Sequence, residues 1–239
     1  MQPGRFCLLA TFCIVACFFT SVCSAQEAEK LSAPDDNNSQ LRVSWLYGAY
    51  VPKDVPLMPM TSINRLKLFE RQSFTTPGIY VKSGFLGLLE QARGEPEEWG
   101  GGMAGYGRRV ASSYGQSLIQ NGLSASGNAL LGYEPRYDRC RCDGLWPRTW
   151  HAVMRNFVTY NKTEKDLRPQ FALYGAAFAS GMITSTWKPG TEAWKQGSNG
   201  LLTQAAFGVF SQWVGEFAPD IKRALREKGI RWPHRQPQN

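Results

Sequence analysis

The densest set of reactive side chains in this sequence lies in one short loop, 138–143. Two cysteines, Cys140 and Cys142, are separated there by one residue, and His151 lies eight residues after the end of the loop. Two thiolates and an imidazole could hold zinc or copper. Structural zinc sites, however, usually place about two to four residues between paired cysteines, and a fourth ligand is missing here. The loop arginines could also lower a thiol pKa and create a redox pair. We favour a structural or incidental cysteine pair and keep redox and metal roles as alternatives.

Catalytic constellations of other kinds have little support. His151 is one of two histidines, and the other, His234, lies near the C-terminus. Neither a Gly-x-Ser-x-Gly elbow nor a His-Glu-x-x-His run is present. Several carboxylates could pair as they do in hydrolases, although their spacing does not bring any two together: Glu98, Glu134, Glu216 and Asp220. The sequence therefore assigns no catalytic residue and no cofactor, and Cys140, Cys142 and His151 remain candidate metal ligands.

Two further features have structural interpretations. The glycines of segment 100–107, followed by Arg108 and Arg109, resemble a phosphate-binding loop but lack its Lys-Ser/Thr ending, so packing glycines explain them better. We interpret Arg136, between Pro135 and Tyr137, as a structural arginine. Its expected partners are helix-end carbonyls or a carboxylate such as Asp220.

The first 25 residues have the pattern of an export signal. Arg5 is the only charged residue before Glu27, and residues 6–19 form an apolar run that is too short for a comfortable membrane span. Small residues at the end of this segment predict cleavage after Ala25. An alternative is lipidation of Cys17, which follows an aliphatic, lipoprotein-like run, and an uncleaved anchor is a third possibility.

Removal of the predicted signal changes the number of cysteines and the net charge of the remaining chain. Four of the six cysteines lie within it, so only Cys140 and Cys142 remain and the protein is not a disulfide framework. About 214 residues would remain, enough for one domain, with basic residues exceeding acidic ones by seven. In an exported protein that surplus favours anionic lipid or envelope polymers as partners, and no nucleic-acid-binding motif is present.

The remainder divides into a proximal segment, a helical domain and a tail. Residues 26–60 contain a polar linker at 35–39 and three interrupting prolines. Within them, 41–51 could form a short strand or an extended strap, or a disordered tether. The anchors of a strand or strap would be Trp45, Leu46, Tyr47 and Val51. Residues 61–228 are predicted to form one mainly α domain of five to seven helices. Residues 229–239 form a basic tail.

Caps and apolar periodicity indicate where the helices begin and end. Thr61 or Ser62 is expected to cap the first helix, and Pro77 to open a second that ends at Arg93-Gly94. Further helices are predicted at 100–131, 148–161 and 169–187, and a long one from about residue 197 ends before Pro219, which starts a short separate helix. The glycine, alanine and serine residues of these helices predict close contacts between helix backbones.

The uncharged helices pose the question of membrane contact. Only segments 169–187 and 197–215 approach the length of about 20 residues that a span requires, and both contain polar residues. Trp187, Trp194 and Trp213 could lie at a membrane interface. Buried helices of a tight bundle and helices in or on a membrane both remain open interpretations.

Several blocks of the sequence together resemble a family of exported bacterial proteins that is uncharacterised. The blocks carrying this resemblance are 98–100, 105–109, 134–137, 155–159, 181–189 and 216–222. Glu134 replaces the family's Asp in Asp-Pro-Arg-Tyr, and Ala218 replaces its Trp in Glu-Phe-Trp-Pro-Asp-Ile-Lys. The resemblance implies export and a mainly helical fold, and it brings no activity or cofactor. Four residues within these blocks are our candidates for a functional or structural role: Arg136, Tyr137, Glu216 and Asp220.

The sequence therefore favours an exported protein of the periplasm or cell envelope, without enzymatic activity, that associates with membrane lipid or another envelope protein through its small-residue helices. An envelope enzyme or a metal or thiol protein using Cys140, Cys142 and His151 is the competing class.

Overall fold

The computed structural model describes residues 42–44, 48–53, 57, 59–161 and 166–228. The predicted signal peptide, the predicted linker at 35–39, the predicted anchors Trp45 to Tyr47 and the predicted tail at 229–239 therefore lie outside the described residues. Strands β1 (Arg42–Ser44) and β2 (Gly48–Val51) form an antiparallel pair, and β3 (Tyr137–Asp138) adds to β2 in parallel. This pairing joins the described part of the proximal segment to the main body. Strands β4 (Val158–Tyr160) and β5 (Leu167–Pro169) form a second antiparallel pair.

Six α-helices make up most of the described chain, which confirms the prediction of a mainly α fold with five to seven helices. A short π-helical segment, Arg71–Thr75, follows the first of them, and a 3₁₀ turn, Glu97–Trp99, precedes the third. The helices are α1 (Ser62–Glu70), α2 (Pro77–Arg93), α3 (Gly102–Leu130), α4 (Leu145–Phe157), α5 (Phe171–Thr184) and α6 (Ala193–Glu227).

The predicted caps of the first two helices are confirmed. The Thr61 hydroxyl accepts a hydrogen bond from the Asn64 backbone N–H at 3.3 Å, which satisfies one of the unpaired donors of the first turn of α1. Pro77 occupies the first turn of α2, where its missing N–H has no cost. Gly94 ends α2 in the left-handed conformation, with φ of 69°.

Small residues lie where helices cross, as predicted. Helix α3 packs against α2 and α5, α5 packs against α6, and α6 packs against α4. A Cβ atom added to Gly181 of α5 would meet the backbone of Gln196, and one added to Gly200 of α6 would meet the Ala177 carbonyl oxygen. The helix backbones therefore touch at these positions because no side chain separates them. At these crossings the small residues contact the protein's own helices, whereas Gly115 and Gly175 face open space.

The prediction that Pro219 starts a separate helix is wrong, because α6 continues through it. A proline has no N–H to donate to the carbonyl four residues earlier, here that of Gly215. Arg139 donates its Nε to this carbonyl at 3.1 Å, and Arg148 donates Nη2 to the next one, that of Glu216, at 2.8 Å. Arg139 thus replaces the missing donor at Gly215, and Arg148 adds a hydrogen bond to the carbonyl beside it.

Other helix boundaries also differ from the prediction. Helix α4 begins at Leu145, with Pro147 in its first turn, where an amide N–H would have no helical partner. It ends at Phe157, because Val158 turns into β4 and pairs with β5. Helix α5 begins at Phe171, since Pro169 belongs to β5 and pairs there with Val158.

Polar side chains form a large part of the interior. A small apolar cluster of Ala49, Met60 and Leu68 is buried, but the largest fully buried side chains are Arg109, Glu216, Asn156, Thr159 and Thr184. Many large apolar side chains lie on the surface. On α4 they form one outward stripe at intervals of three and four residues: Trp146, Trp150, Met154 and Phe157. The amphipathic pattern of α4 was predicted, but its apolar side faces outward and Arg155 and Asn156 face inward.

No helix among the described residues combines the length and apolar character needed to cross a membrane.

Candidate functional site

Most residues that the sequence marked as candidates meet at the junction of β3, α4 and α6. Tyr137 lies on β3, His151 on α4, and Glu216 on α6. Pairing of β3 with β2 fixes the loop that carries Cys140, and the packing of α4 on α6 places His151 above it. We call the connected group Tyr137, Asp138, Arg148, His151, Arg155 and Glu216 the buried network.

Glu216 is the centre of the buried network and has no exposed surface. Its Oε2 accepts hydrogen bonds from the Tyr137 hydroxyl at 2.9 Å and from the Cys140 backbone N–H at 3.0 Å. Its Oε1 accepts from Arg148 Nε at 3.0 Å. Both oxygens of the buried carboxylate are therefore bonded, and its negative charge faces a guanidinium, as a buried charge requires.

Arg148 links Glu216 to the surface. Its Nη1 lies 2.8 Å from Asp220 Oδ2, and Asp220 is nearly half exposed. Burial alone would lower the pKa of Arg148, but its hydrogen bonds and charge interactions with Glu216 and Asp220 raise it. The guanidinium also stacks over the Phe217 ring at 4.3 Å. Arg148 was not singled out from the sequence, although it shares one helix face with His151 and Arg155.

Tyr137 connects Glu216 to His151. Its hydroxyl has one proton, which it donates to the Glu216 carboxylate, so it accepts from His151 Nδ1 at 3.2 Å. This assigns the Nδ1–H tautomer to His151. Burial raises the pKa of Tyr137 and the Glu216 charge raises it further. Burial lowers the pKa of His151, opposed by the charge of Asp138, so the imidazole is predominantly neutral near pH 7.

Asp138 and Arg155 extend the network to the other side of β3. Arg155 Nε donates to Asp138 Oδ1 at 2.5 Å, and its Nη1 donates to the Val158 carbonyl at 2.7 Å. The Arg155 guanidinium lies over the Tyr160 ring at 4.6 Å. Asp138 Oδ2 is 3.8 Å from His151 Nε2, a distance too long for a hydrogen bond. These contacts fasten β3 to α4 and β4.

The two loop cysteines form a disulfide with each other. Cys140 is buried, and the Cys142 backbone N–H donates to its sulfur at 3.2 Å. In this state neither sulfur is a thiolate that could attack a substrate or bind a metal. Within the described ranges, no three His, Cys, Asp or Glu side chains are grouped closely enough to hold a metal ion.

Arg136 has a structural role, but with a different carboxylate from the one named in the sequence analysis. Its Nε and Nη2 donate to the two oxygens of Glu134 at 2.7 and 3.1 Å, and both side chains are buried. Asp220 pairs with Arg148 instead. Sequence spacing indicated the arginine's role without its partner, because the bidentate contact to Glu134 depends on the turn between them.

The hydrogen bonds and ion pairs of the buried network hold β3, α4 and α6 together. Its carboxylates and arginines are bonded to each other, and only Asp138, Arg148 and His151 are partly exposed, each by less than a quarter of the side chain. Hydrolysis by paired carboxylates requires two that both reach a substrate. Glu216 is closed off by Tyr137, Arg148 and the Cys140 backbone. Of the predicted site residues, the fold thus brings together Tyr137, Cys140, Cys142, His151, Glu216 and Asp220, while Arg136 lies in a separate pair.

A second polar region, which the sequence analysis missed, has room for a ligand. A cavity of about 780 Å³ lies between α2, α3 and α6. We call it the polar cleft. Each helix contributes one stripe of residues at helical spacing: Lys82, Leu86 and Glu90 from α2, Ser113, Ser117 and Gln120 from α3, and Gln196, Asn199 and Thr203 from α6. The stripes of α3 and α6 are mostly uncharged hydrogen-bonding side chains, and this i, i+3/i+4 pattern was the available signal.

One end of the polar cleft is closed by the loops before α3 and α6. Arg109, which is buried, donates to the carbonyls of Glu95, Pro96 and Gly100 at 2.8 Å each and to Gln91 Oε1 at 2.6 Å. These bonds organise the glycine-rich segment and occupy Arg109. Only Gly105 is closely packed there, against the Gly100 carbonyl, whereas Gly100 and Gly102 adopt positive φ and a side chain at 100, 101, 102 or 107 would meet no neighbour. The packing interpretation therefore holds at Gly105 alone. Lys188 reaches across from the other loop to Glu90 at 2.6 Å.

Comparison of the chain with protein-family models, with curated proteins and with solved structures finds no match.

Proposed function

We propose that this is a non-enzymatic, membrane-associated protein of the cell envelope that rests on a lipid surface through large apolar side chains. One observation carries the proposal: the helices bury polar residues and expose aromatic ones. Monomeric soluble proteins seldom expose large contiguous apolar surfaces, and such surfaces mark sites of contact with a membrane or partner. The predicted export signal and the basic surplus agree with an anionic membrane surface.

The apolar surface is continuous between two helices. The outward stripe of α4 begins with Trp146 and Trp150, which are 75% and 58% exposed. Trp213 of α6 joins it, because its indole N–H donates to the Thr149 hydroxyl at 3.3 Å. Phe210 continues the surface along α6 and is more than half exposed. We call these residues, with Met154 and Phe157, the α4/α6 apolar surface.

The composition of this surface favours lipid over a protein partner. Tryptophan is enriched where a membrane meets water, because its ring is apolar and its N–H needs a polar partner. Trp187 and Trp194, also predicted for an interface, are exposed on other parts of the molecule, with their N–H groups bonded to Ser112 and Glu192. These two tryptophans therefore lie outside the α4/α6 apolar surface, which contains Trp146, Trp150 and Trp213. An amphipathic helix that lies in the interface plane has the same division of apolar and polar faces as α4.

Vesicle flotation tests the proposal. The full chain is expressed with its N-terminal segment, and its intact mass identifies cleavage or an N-terminal lipid. Should Cys17 carry a lipid, all variants are compared in a Cys17→Ser background. We expect the protein to float with vesicles of phosphatidylcholine alone and more strongly when phosphatidylglycerol is added.

The matched variants are Trp146→Ser with Trp150→Ser and, as control, Trp146→Phe with Trp150→Phe. Loss of two exposed indoles should weaken vesicle binding by at least about tenfold, while the phenylalanine pair should retain most of it. Unchanged circular dichroism shows that both variants fold. Equal binding by the serine pair and the wild type, or no binding of the wild type to any vesicle, would contradict the proposal.

A further inference from the structure

Lys82 is the one lysine of the polar cleft that has no carboxylate within ion-pair distance in the described part of the chain. The other two are paired, Lys188 with Glu90 at 2.6 Å and Lys195 with Glu192 at 2.9 Å. The Lys82 ammonium lies 5.7 Å from the centre of the Phe207 ring. Burial lowers the pKa of Lys82 to about 8. The fold thus keeps a cationic group in the cleft without a counter-charge, which is unfavourable unless something else supplies it.

The surroundings of Lys82 combine hydrogen-bond donors with an apolar rim. Residues Gln116, Ser117 and Gln120 line the α3 side of the cleft, and Gln120 Nε2 is bonded to Gln204 on α6 at 2.5 Å. Leu89 and Leu202 also line the cleft and are exposed, Leu202 by about two-thirds; we call this pair the leucine rim. A ligand in this space can therefore meet amides, hydroxyls, an ammonium and alkyl side chains.

We propose that the polar cleft binds the phosphate headgroup of an anionic lipid, with Lys82 as its counter-charge and the lipid chains over the leucine rim. A volume of about 780 Å³ lies in the range of small-molecule sites. A phosphate accepts several hydrogen bonds, which suits the amides and hydroxyls of α3. The inference rests on the proposed function in one respect, that a membrane supplies the lipid. The lipid site and the membrane association can each fail without the other.

The placement of the other charges determines which end of the cleft receives the phosphate. Glu90 lies two turns further along α2, about 12 Å from Lys82 along the helix axis. Its Oε1 faces Lys188, and its buried Oε2 has no hydrogen-bond partner among the described residues. Glu95, Glu97 and Glu98 line the same closed end. Arg93 and Lys188 line that end as well, so four glutamates face two cations there. The remaining excess of negative charge disfavours an anion at that end and favours it at Lys82.

Calorimetric titration with water-soluble, short-chain lipids tests this without vesicles. The full chain is titrated with dihexanoyl phosphatidic acid, with dihexanoyl phosphatidylcholine and with inorganic phosphate. We expect phosphatidic acid to saturate one site per chain and to bind at least tenfold more tightly than the other two. Lys82→Met should weaken this binding at least about tenfold, the loss of a charge-assisted hydrogen bond. Lys67→Met, an exposed lysine outside the cleft, should leave it unchanged.

Each outcome bears on the lipid assignment. Equal effects of Lys82→Met and Lys67→Met, or no saturable binding of phosphatidic acid, would overturn the site. Phosphate binding as tight as the lipid's would replace a lipid ligand with a free anion and overturn the assignment. Flotation with pure phosphatidylcholine vesicles, which lack an anionic headgroup, should be the same for Lys82→Met and the wild type. If neither protein floats while phosphatidic acid still binds in the titration, the proposed membrane association fails and the lipid site stands.

Discussion

The buried network and the polar cleft are both polar regions between helices, and they differ in how their charges are paired. In the network, Glu216 is fully buried and bonded to Tyr137, Arg148 and the Cys140 backbone. In the cleft, Lys82 faces a cavity of about 780 Å³ without a carboxylate partner among the described residues. Helix α6 takes part in both, with its C-terminal half in the network and its N-terminal half in the cleft.

The comparison concerns whether a reactive residue is already bonded within the fold. In the network, His151 and Glu216 attract attention in the sequence, yet both are bonded to Tyr137, and Glu216 is also bonded to Arg148. The cleft is lined by nine charged residues, five of them glutamates, together with uncharged polar and apolar side chains, and among the described residues Lys82 has no ion-pair partner. A ligand needs space and an unsatisfied group, and the network lacks the first.

The largest expected effect breaks the network. Glu216→Ala should reduce the free energy of unfolding by about 3 to 5 kcal/mol, because it leaves Arg148 facing a partly buried gap and removes the acceptor of Tyr137 and Cys140. Urea unfolding followed by circular dichroism measures it. Asp220→Ala removes the exposed partner of the same arginine and should cost less than about 1 kcal/mol. Similar losses in both variants would contradict the view that burial makes Glu216 the anchor.

A smaller effect tests the helix contacts that frame the cleft. Gly200→Ala places a methyl group against the Ala177 carbonyl of α5 and should cost about 1 to 3 kcal/mol, seen as a lower thermal midpoint. Gly175, on α5, faces open space, so Gly175→Ala should be neutral or stabilising by up to about 1 kcal/mol through helix propensity. Equal destabilisation by both substitutions would show that the close approach at Gly200 is not what matters.

The smallest effect has the opposite sign and concerns the cleft itself. The pKa of Lys82 is about 8 in the folded protein and 10.5 in the unfolded chain, so the unfolded chain binds this proton more tightly. Stability is therefore reduced below pH 8 and recovers as the pH rises towards 10.5. Lys82→Met should stabilise the protein by about 1 to 2 kcal/mol at pH 7, a value discounted because part of the side chain reaches solvent.

The gain from Lys82→Met should shrink between pH 8 and pH 10, and thermal unfolding at both pH values measures it. Lys67→Met, at an exposed position, should change stability by less than about 0.5 kcal/mol at either pH. Destabilisation by Lys82→Met at pH 7 would mean that the protein already stabilises the ammonium. The charges of the cleft would then be compensated within the protein, as those of the network are.

Much of the secondary structure was predictable because its signals are local. Thr61, Pro77 and Gly94 mark helix ends by their own hydrogen-bonding and backbone preferences, and the structure confirms each. The end of α4 was not predictable from its own periodicity, because Val158 is drawn into pairing with Pro169, a contact between distant segments. Helix α6 continues through Pro219 for a similar reason, since the donor to the Gly215 carbonyl is Arg139.

The candidate site was predictable in its members and not in its connections. Tyr137, His151 and Glu216 were singled out, and they lie in one hydrogen-bonded chain. Arg148 was missed because an arginine inside an amphipathic helix is ordinarily solvated. The polar cleft was missed as well, since serines and glutamines at helical spacing carry no reactive signature.

The sequence by itself determined that this chain forms helices with small residues on some faces and large apolar residues on others. Only the tertiary structure decided which faces point inward. Periodicity gives the angle between the polar and apolar sides of a helix, as on α4, but is silent about which side meets the rest of the protein. That choice depends on partners far away in sequence. The backbone contact at Gly200 and the charges that compensate Glu216 place polar groups inside and leave Trp146 and Trp150 outside.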